Sequence, residues 1–280
     1  MNDSPPEHPL LFRHVPHAPD SEALRMRGVS LCYGTRTVLD DVTLSVRPGE
    51  RIAVVGPNGA GKTTLFKAVA GLLEPAAGAI EIFGHPPRRH ACIAYLVQRS
   101  TVDWNFPVTV HDVVLMGRVR EMGLFKRASA ADRAYADRCI EQVGLSALAR
   151  RQIGELSGGQ QQRMFIARAL AQEAALMLLD EPFTGLDHQT EHELLALLET
   201  LCRSGVTMLV ATHDLDVAAA HFDRVLLLNR RVIACGAPGE AFRTEHLTAT
   251  FGHHAHTVTT ADGLVFVSDG CCGGGERRDD

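Results

Sequence analysis

The sequence predicts an α/β fold built on a mostly parallel sheet. Three observations carry that expectation. Short, continuously apolar runs at Arg51–Val55, Leu176–Asp180 and Thr207–Ala211 read as strands covered on both faces. Segments of helical periodicity alternate with them, as at Glu191–Cys202, where Leu194, Leu197, Leu198 and Leu201 share a face. A glycine-rich stretch, Gly56-Pro57-Asn58-Gly59-Ala60-Gly61-Lys62-Thr63-Thr64, sits where a strand should turn into a helix.

Taken in order, residues 1–22 hold five prolines and three histidines without periodicity, and are expected to be a disordered leader. Its histidines read as part of a solvated tail rather than as metal ligands. Leu24–Leu31 and Thr37–Val46 alternate as strands around Tyr33-Gly34, and an aromatic there could stack on a base or simply pack at an edge. After Arg51–Val55 and the glycine-rich loop, Leu65, Phe66, Val69 and Leu72 recur at helical spacing. A strand pair is expected around Ala79–Phe83, and a short strand at Cys92–Val97 leads to Gln98. From Arg99 the character becomes helical, with segments at Val110–Arg118 and Ala130–Val143, and a long helix from about Gln161 to Ala171. Arg224–Leu228 and Val232–Ala234 form a hairpin through Asn229-Arg230. Beyond Gly252 the chain is rich in His, Thr and Gly, with partial order expected to Val267 and disorder after Gly270.

The 280 residues suit one large domain with a subdomain, and a net charge of −5 leaves no basic excess of the kind nucleic-acid binding requires. Seven scattered cysteines fit thiols in a reducing compartment better than a disulfide framework. No apolar run approaches the roughly 18–20 residues that cross a bilayer, and no signal peptide is expected.

Gly56–Thr64 satisfies G-x-x-x-x-G-K-[ST] in full. Glycines let successive N–H groups turn inward onto phosphate oxygens, and the following helix brings its positive end to the same point. Lys62 then reaches the outer phosphates, and the Thr63 hydroxyl can ligate Mg²⁺. This is a nucleoside triphosphate site. Asp180, ending a buried strand, is placed to hold Mg²⁺, and Glu181 beside it to polarise a water. His213, ending the next strand, could sense the same phosphate. A guanine-reading [NT]-K-x-D motif is absent, against a GTPase.

Leu156-Ser157-Gly158-Gly159-Gln160 lies between the phosphate loop and the Asp180-Glu181 strand. With it, residues 24–250 resemble the ATP-binding subunit of ABC transporters. The resemblance makes Ser157–Gln160 the signature motif, Gln98 the Q-loop glutamine and a further Mg²⁺ ligand, Gly185-Leu186-Asp187 the D-loop and His213 the switch histidine. It implies a phosphate-loop NTPase core over residues 23–252, an N-terminal antiparallel β subdomain, a helical subdomain at about 99–165 and a tail at 253–280. Tyr33 would meet the base. It also implies a head-to-tail dimer, with ATP held between Gly56–Thr64 of one copy and Ser157–Gln160 and Asp187 of the other.

Val97–Val110, Arg151–Ser157 and Glu181–Gly185 resemble the manganese, zinc and iron group of ABC importers. The expected partners are a second copy, a polytopic membrane permease and, indirectly, an extracytoplasmic metal-binding protein, with no nucleic acid. The expected place is the cytoplasmic face of the cell membrane. Trp104, the only tryptophan, suits docking to the permease or packing within its own subdomain. A soluble regulatory or repair ATPase is the alternative; such chains carry two fused halves or a long coiled coil. A non-hydrolysing scaffold would not need both Glu181 and His213. His253, His254, His256, Cys271 and Cys272 offer metal-ligand types without metal-site spacing, and read as a solvated tail.

Overall fold

The computed structural model describes residues 21–87, 92–97, 102–122 and 127–252, and the backbone of 255–259 and 265–269. Strands β3 (Arg51–Val55), β5 (Ile93–Leu96), β6 (Leu176–Asp180), β7 (Thr207–Thr212) and β8 (Arg224–Asn229) run parallel, and β9 (Arg231–Gly236) returns antiparallel to β8. Their order across the sheet is β5-β6-β7-β3-β8-β9. Strands β1 (Leu24–Tyr33), β2 (Arg36–Val46) and β4 (Ala77–Ile82) make a separate antiparallel sheet in the order β2-β1-β4. Gly34, at φ +59°, makes the tight turn of the β1–β2 hairpin.

Alternation along the central strands sorts their side chains onto two cores. Ile52 and Val54 face α1 (Lys62–Val69) and the antiparallel sheet. Ala53 and Val55 face α2 (Val110–Met116), α4 (Ala130–Gln142), α5 (Gly158–Ala171) and α6 (His188–Arg203), with the short α3 (Val119–Met122) following α2. Both faces of β6 and β7 are fully buried, as their unbroken apolar runs require.

Helices α2, α4 and α5 each begin with the same reciprocal cap: Thr109 with Asp112, Ser129 with Asp132, Ser157 with Gln160. These caps set the starts. Helix α5 therefore begins at Gly158, three residues before the periodicity alone suggests, and α6 begins at His188 behind its cap Asp187. The expected strand pair near Ala79–Phe83 is a single strand, β4, because its partner is β1 rather than a neighbour in sequence. Helices α7 (Leu215–His221), α8 (Pro238–Ala241) and α9 (Thr244–Phe251) were too short to announce themselves by periodicity. Strands β10 (Ala255–Thr259) and β11 (Val265–Asp269) pair antiparallel. Gln98, Arg88–His90, the loop at 123–126, His253, His254, Cys271 and Cys272 lie outside the described residues.

Candidate functional site

Register brings the carboxyl ends of three strands side by side, since Val55 pairs with Thr212 and Asp180 with Ala211. The residues that follow those ends, Gly56, Glu181 and His213, therefore share one edge of the sheet, where open α/β sheets hold their ligands. β5 ends at the same edge, with Leu96 beside Leu179.

The phosphate loop is shaped by close contacts that admit no side chain. A Cβ on Gly56 would stand 2.0 Å from the Leu228 carbonyl oxygen, and Gly61 adopts φ +103° with its missing Cβ 2.4 Å from Leu39 Cδ2. The loop is also tied to the β8–β9 turn, where the Arg230 N–H donates to the Ala60 carbonyl at 2.9 Å. Lys62 opens α1 and folds back under the loop, donating to the carbonyls of Gly56 at 2.6 Å and Pro57 at 3.4 Å. Burial pulls its pKa below the usual lysine value, and the charges of Glu181 and Asp180 oppose that shift. An open cleft of about 260 Å³ lies over the loop, lined by Val38, residues 57–64 and Glu181.

Asp180 is 2% exposed. Its Oδ2 accepts a hydrogen bond from Tyr95 Oη at 3.2 Å, while Oδ1 has no partner among the described residues. Burial raises its pKa, and hydrogen bonds from Thr63 and Tyr95 hold the rise back. Tyr95 is a site residue that the sequence reading missed. Only its alternation within the Cys92–Val97 strand hinted that it faces the α1 side, where its ring meets Phe66 edge-on at 6.4 Å. Burial and the neighbouring Asp180 carboxylate push its phenol pKa up.

Glu181 leaves β6 in a left-handed conformation, φ +51°, held by its N–H on the Ala211 carbonyl at 3.1 Å. That conformation costs a non-glycine residue roughly 1–2 kcal/mol, and strain of this kind concentrates where a side chain must be aimed. Glu181 lines the cleft and also a second cavity of about 160 Å³, whose walls include Glu191, His213 and Asp214. Asp214 caps α7 through the Val217 N–H at 3.0 Å, which fixes the turn that carries His213.

Ser157, Asp187 and Tyr33 stand apart from this cleft. Ser157 caps α5: its Oγ accepts from the Gln160 N–H at 3.4 Å, and Gln160 Oε1 accepts from the Ser157 N–H at 2.9 Å. The Ser157 hydroxyl donates to no acceptor recorded among the described residues. Asp187 caps α6, accepting from the N–H and hydroxyl of Thr190 at 2.9 and 2.7 Å. These bonds hold its carboxyl below the ordinary range. Tyr33 ends β1 at 48% exposure, outside the cleft lining. Trp104 packs inward, its ring edge-on to Phe165 of α5 at 5.8 Å and its carbonyl pressed against Gly154. The exposed aromatic of that loop is Phe106, at 57%.

Residues 39–184 match the family model described as ABC transporter. Among curated proteins, the zinc transport system ATP-binding protein TroB of Treponema pallidum is 49% identical over 231 residues, covering 82% of this chain and 87% of the relative. The manganese transport system ATP-binding protein MntB of Bacillus subtilis is 45% identical over 230 residues, covering 82% of this chain and 92% of the relative. Among solved structures, an inward-facing ABC transporter of metal-chelate type superposes with a TM-score of 0.75 at 29% identity, over 86% of this chain and 94% of that one. A nucleotide-free ATP-binding cassette from an ABC transporter gives 0.69 at 25% identity, over 82% and 94%. The fold, the phosphate loop and these relatives agree, and the chain belongs to the ABC transporter family.

Proposed function

We propose that this chain is the ATP-hydrolysing subunit that powers import of a transition-metal ion, manganese, zinc or iron, through a separate membrane permease. The observation that carries the mechanism is the division of the site. Residues 57–64 and Glu181 line one cleft, with the buried Asp180 next to Glu181 in the chain, while Ser157 caps α5 outside it. A second copy, arranged head to tail, supplies Ser157–Gln160 and Asp187 to the ATP held by the first. The relatives named for zinc and manganese transport support the class of cargo.

Within the cleft, the loop N–H groups and the start of α1 receive the phosphates. Lys62, now turned onto the carbonyls of Gly56 and Pro57, exchanges them for phosphate oxygens, and the gain of a counter-anion offsets its burial. The orphaned Oδ1 of Asp180 and the adjoining Thr63 hydroxyl are hard oxygen donors, which fits Mg²⁺. Bound there with ATP, Mg²⁺ would neutralise charge on the outer phosphates. Glu181 takes a proton from the attacking water, and His213, across the second cavity, orients the γ-phosphate. Ser157 and the N–H groups of Gly158 and Gly159 of the second copy close over that phosphate. Tyr33 offers its exposed ring to the base.

Gln98 and the loop beyond it link the cleft to the permease. Phe106, Met116 and Val119, exposed at 57%, 44% and 41%, form the apolar set that meets it. Among the described residues no helix is long and apolar enough to cross a membrane. In this reading the permease holds the chain at the cytoplasmic face. An extracytoplasmic protein delivers the metal to that permease.

The test is purification without ATP, followed by transport in vesicles. A polytopic membrane protein recovered with the chain, and ATP-dependent metal uptake by the reconstituted pair, are the expected results. Recovery of soluble partners alone would replace this reading with that of a regulatory or repair ATPase.

A further inference from the structure

Helices α5 and α6 start side by side, and one residue joins their two caps. A Cβ placed on Gly159 would lie 2.1 Å from Thr190 Cγ2, so the methyl of Thr190 occupies the space above the Gly159 backbone. The same Thr190 gives both its N–H and its hydroxyl to the Asp187 carboxylate, at 2.9 and 2.7 Å. One turn further along both helices, Arg163 of α5 pairs with Glu193 of α6, and Gln189 supports Glu193 at 3.3 Å. Gly159 to Arg163 spans four residues and Thr190 to Glu193 three, so the two contacts stack on one face of each helix.

We infer that Thr190 is the positioning residue that fixes Ser157–Gln160 and Asp187 as a single rigid jaw. Its methyl sets the spacing of the two helix starts and its hydroxyl sets the orientation of Asp187. Arg163 with Glu193 keeps the helices from pivoting about that point. The inference rests on the head-to-tail reading above, because only a second copy's nucleotide would meet both segments at once. It also assigns Gly159 a role besides its N–H group: the absence of a side chain lets α6 approach.

The geometry supplies its own rescue experiment. In Gly159→Ala the new methyl collides with Thr190 Cγ2, yet the next nearest atoms, Thr190 Cβ and Oγ1, stand at 3.5 and 3.9 Å, ordinary contact distances. Thr190→Ser removes only the colliding methyl and keeps the hydroxyl on Asp187. ATP-driven dimerisation is measured by sedimentation in a Glu181→Gln chain, together with ATP binding at low protein concentration and thermal unfolding. Gly159→Ala is expected to weaken dimerisation by roughly tenfold or more. Adding Thr190→Ser is expected to restore dimerisation to within about threefold of the parent. Thr190→Val, which keeps the methyl but not the hydroxyl, is expected to weaken dimerisation by roughly tenfold through Asp187 alone.

Equal impairment with and without Thr190→Ser would overturn the inference, as would unimpaired dimers in Gly159→Ala. Those results leave the head-to-tail reading standing. No ATP-driven dimer in the Glu181→Gln chain itself would overturn that reading, and the inference with it.

Discussion

Replacing Asp180 by asparagine is expected to stabilise the nucleotide-free chain while ending its chemistry. Asp180 is 2% exposed, with Oδ1 unpartnered among the described residues and Oδ2 accepting from Tyr95 at 3.2 Å. A buried acceptor without a partner costs about 1–3 kcal/mol, and more when it carries charge. Asparagine keeps the Tyr95 hydrogen bond and still leaves one amide atom unpartnered, so only the excess due to charge is recovered. Part of that is returned, because Lys62 loses a nearby carboxylate and keeps Glu181 and two carbonyls. The net gain is about 1 kcal/mol, or roughly 2 °C in Tm for a chain of this size.

The gain has a definite pH dependence. Burial raises the folded-state pKa of Asp180, so the folded chain binds that proton more tightly than the unfolded chain does. Below the unfolded value both states are protonated and there is no charge on Asp180 to bury. As pH rises through about 4, the unfolded carboxyl ionises first and the cost grows until the folded one has ionised too. Thermal unfolding of Mg²⁺-free, nucleotide-free protein at pH 4.5 and 7.5 therefore separates the effect. The advantage of Asp180→Asn is larger at pH 7.5, and Mg²⁺-dependent ATP turnover is lost at both. A variant that melts no higher than the parent at pH 7.5, or an advantage that shrinks as pH rises, would refute the reasoning.

Glu181→Gln retains ATP binding and slows turnover by about 10²–10⁴-fold in a steady-state phosphate-release assay; normal turnover would remove Glu181 from the role of base. Trp104→Ala lowers stability by about 2–3 kcal/mol in a denaturant titration, because the ring leaves a hole against Phe165. Phe106→Ala changes stability by about 0.5 kcal/mol or less but reduces recovery of the permease, and equal loss of recovery in both variants would return the docking role to Trp104. Arg118→Ala is expected to cost about 3 kcal/mol, measured by the same titration. Its guanidinium bonds Glu173 at 2.8 Å and the Ala171 carbonyl at 3.2 Å, and stacks over Tyr135 at 4.6 Å.

The sequence by itself determined the parts whose physics is local. The phosphate loop is a fixed spacing of glycines, lysine and threonine, and β3, β6 and β7 announced themselves because a strand buried on both faces must be apolar throughout. The resemblance in Ser157–Gln160 and the order of the motifs gave the family. The caps of α2, α4 and α5 are local as well, a Ser or Thr bonded to Asp or Gln three residues on, but periodicity did not reveal them and starts α5 late.

Only the tertiary structure decided what depends on non-local contact. β4 pairs with β1 across about fifty residues, Tyr95 reaches Asp180 only because β5 lies next to β6, and Trp104 turns inward because Phe165 is there to receive it. The separation of the two motifs within one chain is of the same kind. Spacing in the chain says that Ser157–Gln160 and Gly56–Thr64 both exist. Only the fold puts them in different places, and only packing brings Thr190 onto both Gly159 and Asp187.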